Sequence, residues 1–325
     1  MKIKKLHIKN FKSIADLEII EPNPFTVFVG PNGSGKSNIF EALEFTTISF
    51  RFPSNQQFSR SIFGETDSFL NLPKSDSIFE GSNLQFDDFT LYSGMLHSGL
   101  KPDNGESFDY QKYSDFRQFI ENFSVVFPNN LSRERFKLID DRFLSLSCSN
   151  LEKVLKRILL DEFKNEEISE WLDLFIPGFE RVEIISSDLS NNDTLLMYEK
   201  GIKKPFTKEL ISDGTYNILA LLTAVFQSDE PQFLCIEEPE NGLNPKVVKE
   251  LVGLFQYACE EKGHYIWLNT HSQSLVSQLK PHEIILVNKK DGETKIKQLD
   301  KDLNLYGLPM DEAWLSNALG GGLPW

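Results

Sequence analysis

Eight consecutive residues, Gly30-Pro31-Asn32-Gly33-Ser34-Gly35-Lys36-Ser37, fit the pattern G-x-x-x-x-G-K-[ST]. Its glycines let backbone N–H groups converge on a phosphate, and the helix that follows adds the partial positive charge of its N-terminus. Lys36 is placed to reach the β- and γ-phosphates of a nucleoside triphosphate, the Ser37 hydroxyl to ligate Mg²⁺, and Asn38 to open the helix beside them. About 200 residues later, Phe233-Leu234-Cys235-Ile236-Glu237-Glu238 is an apolar run ending in two carboxylates. Adjacent residues leaving a strand point to different sides, which assigns Glu237 to the Mg²⁺ shell and Glu238 to the general base for an attacking water.

These groups need a scaffold that brings two distant loops together. Phe25 to Val29 is continuously apolar, as a buried central strand is, and it runs into the glycine-rich loop and then the helical pattern NIFEALEF. Upstream, KIKKLHIKNF alternates polar and apolar residues and predicts a half-buried strand with Leu17–Ile20 as its neighbour. Leu151, Val154, Leu155, Ile158, Leu159 and Phe163 trace one face of an amphipathic helix, followed by strands at Val182–Ser186 and Thr194–Glu199. A helix from about Thr215 to Phe226, strands Phe233–Ile236 and Tyr265–Leu268, and a helix capped by Asn244 with Pro245 at its first position continue the alternation. A hairpin from Glu283 to Leu299, turning at Asp291-Gly292, completes it. Alternating strands and helices predict an α/β fold with a mostly parallel sheet covered on both faces, plus antiparallel N-terminal strands.

The chain has 325 residues, 40% hydrophobic and 25% charged, a composition that excludes collagen-like and wholly disordered classes. A formal net charge of -14 excludes a broad cationic coat for nucleic acid, so any DNA contact is expected to be local and salt-sensitive, for example along Lys2, Lys4, Lys5 and Lys9. Cys148, Cys235 and Cys259 are far apart and in apolar contexts, which reads as reduced packing residues of a cytosolic protein, and no apolar run reaches membrane-spanning length. More than half of the 27 Phe residues fall between Phe50 and Phe143, in a stretch rich in Ser, Asn and Asp. That pattern predicts an inserted α+β subdomain with its own small core over about 51–150, between an N-terminal lobe at 1–50 and a C-terminal lobe at 151–325. Within it Tyr113, Phe116, Phe119, Ile120 and Phe123 have helical spacing.

With these motifs in this order, the chain resembles the ABC-type ATPase heads of the RecF, SMC and OLD families, especially their short single-head bacterial relatives. Ile8-Lys9-Asn10-Phe11-Lys12-Ser13 matches the I-x-N-F-K-S strand those families place before the phosphate loop, and the likeness covers about Met1–Phe45 and Phe206–Trp325. The resemblance implies a P-loop fold of ABC-head type, with ATP and Mg²⁺ as ligands. It also implies that Ile211-Ser212-Asp213-Gly214-Thr215 is the signature motif, whose Ser212 and Gly214 contact ATP bound by the other subunit of a head dimer. That motif departs from the transporter form at Asp213 and Thr215. Pro239–Pro245 is similar to the dimer-contacting D-loop, and His271 to the switch histidine beside the γ-phosphate and the attacking water. Lys12 matches a basic residue that some relatives place beside the phosphates, and also reads as an exposed lysine on a Lys-rich edge strand. The family's Mg²⁺-sensing glutamine is open among Gln56, Gln57 and Gln85. Similar short heads work with a separately encoded nuclease in defence against phage or other mobile DNA. The alternative expectation is an ATP-gated DNA clamp or sensor in repair, with binding as the function, and the insert acts as a lid or partner-docking surface.

Two further motifs lead nowhere. Asn288-Lys289-Lys290-Asp291 spells a guanine-reading NKxD, but no DxxG accompanies it and a hairpin follows. Asp300-Lys301-Asp302 spells a TOPRIM-type DxD with no room for a nuclease domain around it.

Overall fold

The computed structural model describes residues 1–51, 81–93, 98–102, 109–128, 141–186 and 193–322. Three sheets and eight helices account for them. The central sheet has six strands in the order β14-β13-β3-β12-β11-β7: β3 is Phe25–Val29, β7 Phe123–Val126, β11 Phe233–Glu237, β12 Tyr265–Thr270, β13 Ile284–Lys290 and β14 Glu293–Gln298. All neighbours pair in parallel except the edge hairpin β13–β14. The central strands β3, β11 and β12 are buried along their whole length because both faces are covered.

The period-2 alternation of these strands separates two cores. Phe25, Val27 and Val29 of β3, Leu234 and Ile236 of β11, and Ile266 and Leu268 of β12 face one core. It is filled by α3 (Leu151–Leu159), α4 (Glu162–Phe175), α5 (Asp213–Phe226) and α6 (Pro245–Glu261), with the three-stranded sheet of β8 (Phe179–Ser186), β9 (Asp193–Glu199) and β10 (Phe206–Thr207). Phe28, Phe233, Cys235, Tyr265 and Trp267 face the other, where α1 (Lys36–Arg51) and α2 (Tyr110–Glu121) lie under a five-stranded antiparallel sheet. That sheet runs β2-β1-β4-β5-β6, from Ile14–Ile20, Ile3–Phe11, Gly81–Phe86, Phe89–Ser93 and Ser98–Pro102. Short helices α7 (Gln273–Val276) and α8 (Met310–Leu315) pack near the C-terminal segment. Among the described residues no helix is long and apolar enough to cross a membrane, and the three cysteines are free thiols.

Three sequence expectations change. The Phe-rich stretch has no core of its own in its described parts: β4 pairs with β1, β7 pairs with β11, and Phe86, Phe89, Phe116, Phe119 and Phe123 share one cluster with Ile3, Phe28 and Trp267. These described aromatics fill the space between two sheets. Arg51, at the end of α1, reinforces the join by donating to the carbonyl oxygens of Ile120, Glu121 and Phe123 at 2.7–2.8 Å. Burial lowers this arginine's pKa to about 10, opposed by Glu121 and Glu44. Phe123 belongs to strand β7, since α2 ends at Glu121. The amphipathic helix is two: α3 stops at Leu159, Asp161 caps α4, and Phe163 is exposed. The cap is the signal, because Asp161 accepts from the amides of Phe163 and Lys164 and restarts the helix in a new direction.

Candidate active site

The phosphate loop spans the gap between the C-terminal end of β3 and the first turn of α1, at the edge where β11 and β12 also end. Gly30 donates its amide to Thr270 O at 3.4 Å, which ties the loop to the end of β12. Gly35 is in the left-handed region (φ +97°), and a Cβ there would lie 1.9 Å from Thr294 Oγ1, so no other residue fits. Thr294 is fully buried on β14, where its hydroxyl donates to Ser34 O at 3.0 Å and meets Ser13 Oγ at 2.6 Å. Asn38 donates to the same Ser13 oxygen at 2.6 Å. Ser13 and Thr294 form the floor of the loop. Sequence reasoning missed that role: Ser13 was visible in the I-x-N-F-K-S run, whereas nothing marks Thr294 in a hairpin 281 residues away.

Lys36 is buried, and its ammonium donates to Gly30 O at 2.7 Å and Pro31 O at 2.9 Å. Burial lowers its pKa, opposed by the charges of Glu238, Glu237 and Glu240. Ser37 Oγ donates to Glu237 Oε2 at 2.9 Å, so the two residues assigned to Mg²⁺ are in direct contact. Glu238 takes a left-handed backbone (φ 47°), uncommon for a residue with a side chain, and this turn carries its carboxylate away from that of Glu237. Glu238 Oε1 lies 3.2 Å from His271 Nδ1, and Asn241 Nδ2 donates to Oε2 at 2.9 Å. The base and the histidine chosen from sequence therefore meet.

Ser212 caps α5, accepting from the Thr215 amide at 3.1 Å, and is exposed together with Gly214's neighbour Asp213. Lys12 pairs with Glu41 on α1, so it is neither free on an edge nor held on the loop. Gln85 lies on the outer face of the five-stranded sheet, in register with Lys5 and Thr90 and opposite the face that packs on α1, while Gln56 and Gln57 lie outside the described residues. The Lys-rich first strand is not an open cationic patch: Lys2 is 3.9 Å from Glu21, Lys4 3.2 Å from Asp87, and Lys5 pairs with Glu18. Carboxylates on β2, just after it and in the β4–β5 turn pair with these three lysines. The NKxD motif is a hairpin end, with Asn288 Oδ1 accepting from the Gly322 amide at 2.7 Å, and Asp300 accepts from the Asp302 amide in a local turn.

Beyond Glu237 and Glu238 in the chain lies Glu240, buried and accepting from Thr270 Oγ1. Burial pushes its pKa up to about 7, against the Thr270 hydrogen bond. A nucleotide fits this arrangement. The Ser34 hydroxyl is buried in the loop with no protein partner, Lys36 supplies a cation, and Ser37 and Glu237 supply hard oxygen donors suited to Mg²⁺.

The α/β fold, the glycine-rich loop and the paired carboxylates define an ABC-type ATPase head of the RecF and SMC class. The chain belongs to the family described as "AAA domain, putative AbiEii toxin, Type IV TA system", whose model matches residues 25–277. It is 25% identical over 268 residues to the chromosome partition protein Smc of Methanocaldococcus jannaschii, covering 75% of this chain and 22% of that one. It is also 25% identical over 161 residues to the DNA replication and repair protein RecF of Leptospira biflexa, 50% of this chain and 42% of that one. The chain thus spans less than half the length of these two relatives. An ATP/GTP phosphatase of Helicobacter pylori is 21% identical, with 94% of both chains covered. Among solved structures, the SmcHead bound to the C-winged helix domain of ScpA superposes with a TM-score of 0.61 at 18% identity, covering 92% of this chain and 98% of that one. The Smc head of Pyrococcus furiosus with an extended coiled coil gives 0.58 at 16% identity, over 92% and 96%.

Proposed function

We propose that this chain hydrolyses ATP with Mg²⁺ as a head dimer that sandwiches two nucleotides, and that turnover drives a DNA-related or anti-phage assembly with a separately encoded effector. The observation that carries the reading is the double contact at one edge of the sheet, Ser37 with Glu237 and Glu238 with His271. Ser37 and Glu237 would hold Mg²⁺, which would supply charge neutralisation on the phosphates. Lys36 offers its ammonium to the γ-phosphate, Glu238 accepts a proton from the attacking water, and His271 orients that carboxylate and hydrogen-bonds the phosphate. Exposed Ser212 and half-buried Gly214, at the start of α5, are suited to contact the γ-phosphate of a partner's nucleotide.

The likeness to RecF favours a second reading, an ATP-gated clamp or sensor in repair where binding matters more than turnover. ATP turnover by wild type and by Glu238→Gln, with and without DNA, separates the two. The hydrolysis reading expects a fall of about 10²- to 10³-fold in the variant. Equal activity in both proteins would sink the assignment of the base.

A further inference from the structure

Helix α5 is buried along nearly its whole length, and one asparagine sits in its first turns among hydrophobic neighbours. Asn217 donates Nδ2 to two carbonyl oxygens of the loop after β11, Pro239 O at 3.0 Å and Asn241 O at 2.8 Å. Two buried carbonyls converging on one side chain require a donor with two protons, which an amide provides and a carboxylate does not. The same helix start approaches the loop at backbone distance, since a Cβ on Gly214 would lie 2.5 Å from Gly242 O. From the loop, Asn241 Nδ2 reaches Glu238 Oε2, and Glu238 Oε1 faces His271. On the far side Thr270 donates to Glu240 and accepts from the Ser272 amide at 2.9 Å, which fixes the turn that carries His271. A continuous set of contacts therefore runs from Ser212 and Gly214 to the carboxylate of Glu238.

We propose that Asn217 is a positioning residue for ATP hydrolysis: it locks the Pro239–Gly242 loop to the start of α5, so that the exposed helix start and the Glu238 carboxylate move as one rigid unit. The inference rests on the hydrolysis reading above. Lys36, Ser37 and Glu237 are held by β3, α1 and β11, not by α5, so binding of nucleotide by the chain's own phosphate loop does not depend on the lock. Placement of the base is not, and rate falls steeply when a reacting group is displaced by about 1 Å.

The test is steady-state ATP hydrolysis by the full chain. Asn217→Asp keeps the shape and removes the donor, and it is expected to lower kcat by about 10- to 100-fold while KM for ATP stays within about 2-fold. Asn241→Ala, at an exposed position, cuts the last link to Glu238 without touching the core and is expected to lower kcat in the same way. The double variant is expected to be no worse than the poorer single one, because both break the same chain of contacts. Wild-type kcat in Asn217→Asp, a KM that rises as kcat falls, or additive losses in the double variant would overturn the inference. If Asn217→Asp does not fold, Asn241→Ala decides: lost kcat at constant KM supports the lock, and unchanged kcat refutes it. A wild-type chain that turns over no ATP defeats the hydrolysis reading and the lock together, whereas an active wild type matched by Asn217→Asp defeats the lock alone.

Discussion

Glu240 is the residue whose protonation the fold alters most usefully for measurement. In an unfolded chain its carboxyl ionises near 4.5, and in the folded protein burial holds it up to about 7. Between those values the unfolded chain has released a proton that the folded chain keeps, so stability falls as pH rises through this window, and the penalty is complete above it. Glu240→Gln retains an acceptor for Thr270 and removes the titration. It is expected to stabilise the protein by up to about 3 kcal/mol at pH 8 and by little at pH 4, read by urea denaturation at both. An equal gain at the two pH values would mean that ionisation of Glu240 is not the cause. Thr294 works through hydrogen bonds alone. Thr294→Val preserves its volume and deprives Ser34 O and Ser13 Oγ of their partner, at an expected cost of about 1–3 kcal/mol in thermal stability and with weaker nucleotide binding, measured by fluorescent-nucleotide titration.

At the scale of elements, the issue is whether the Phe-rich stretch is a separate unit. Phe116 is fully buried, with ring centroids 5.1 Å from Phe86, 5.4 Å from Phe89 and 5.8 Å from Phe50. Phe116→Ala is expected to cost about 3–5 kcal/mol and to lower the single transition of the whole molecule, seen by tryptophan fluorescence and circular dichroism alike. Two separated transitions would restore the idea of an independent insert. The sequence made β3, β11, β12 and the hairpin legible because a buried parallel strand is a short apolar run bounded by turn residues, and Asn244-Pro245 marked its helix by cap chemistry. The same local signals brought Ser37, Glu237 and Glu238 into view, and the family resemblance brought His271. What stayed hidden was set by pairing between distant segments: β7 joins β11 across more than 100 residues, and periodicity cannot say which core an aromatic enters. Asn217 left a trace that was readable in principle, a polar residue inside an apolar helix, where burial demands partners.

For the whole molecule, charge sets the terms of self-association. Each copy carries a net charge of -14, so a head dimer must form against mutual repulsion that salt screens over a Debye length of about 10 Å at 0.1 M. With Glu238→Gln, ATP and Mg²⁺, solution mass is expected to step from 37.3 kDa to about twice that, and the dimer to tighten as salt rises from about 0.05 to 0.3 M. A mass that stays at 37.3 kDa with nucleotide at every salt concentration would remove Ser212 and Gly214 from any role in trans, whereas a mass of about twice that with and without nucleotide would mean that the dimer is constitutive. A dimer that loosens with salt would show that specific ion pairs, and not overall repulsion, govern the interface.

The floor under the phosphate loop also dictates when in its life the protein can hold nucleotide. Ser13 and Thr294 meet across nearly the full length of the chain, and Gly35 is shaped to lie against both. During synthesis the glycine-rich loop leaves the ribosome before its support, which lies 260 residues further on at Thr294 and arrives only after strand β14 has emerged and made its long-range contacts. A nascent chain that has exposed the loop but not β14 is therefore expected to hold nucleotide poorly, so that binding would report the docking of β14.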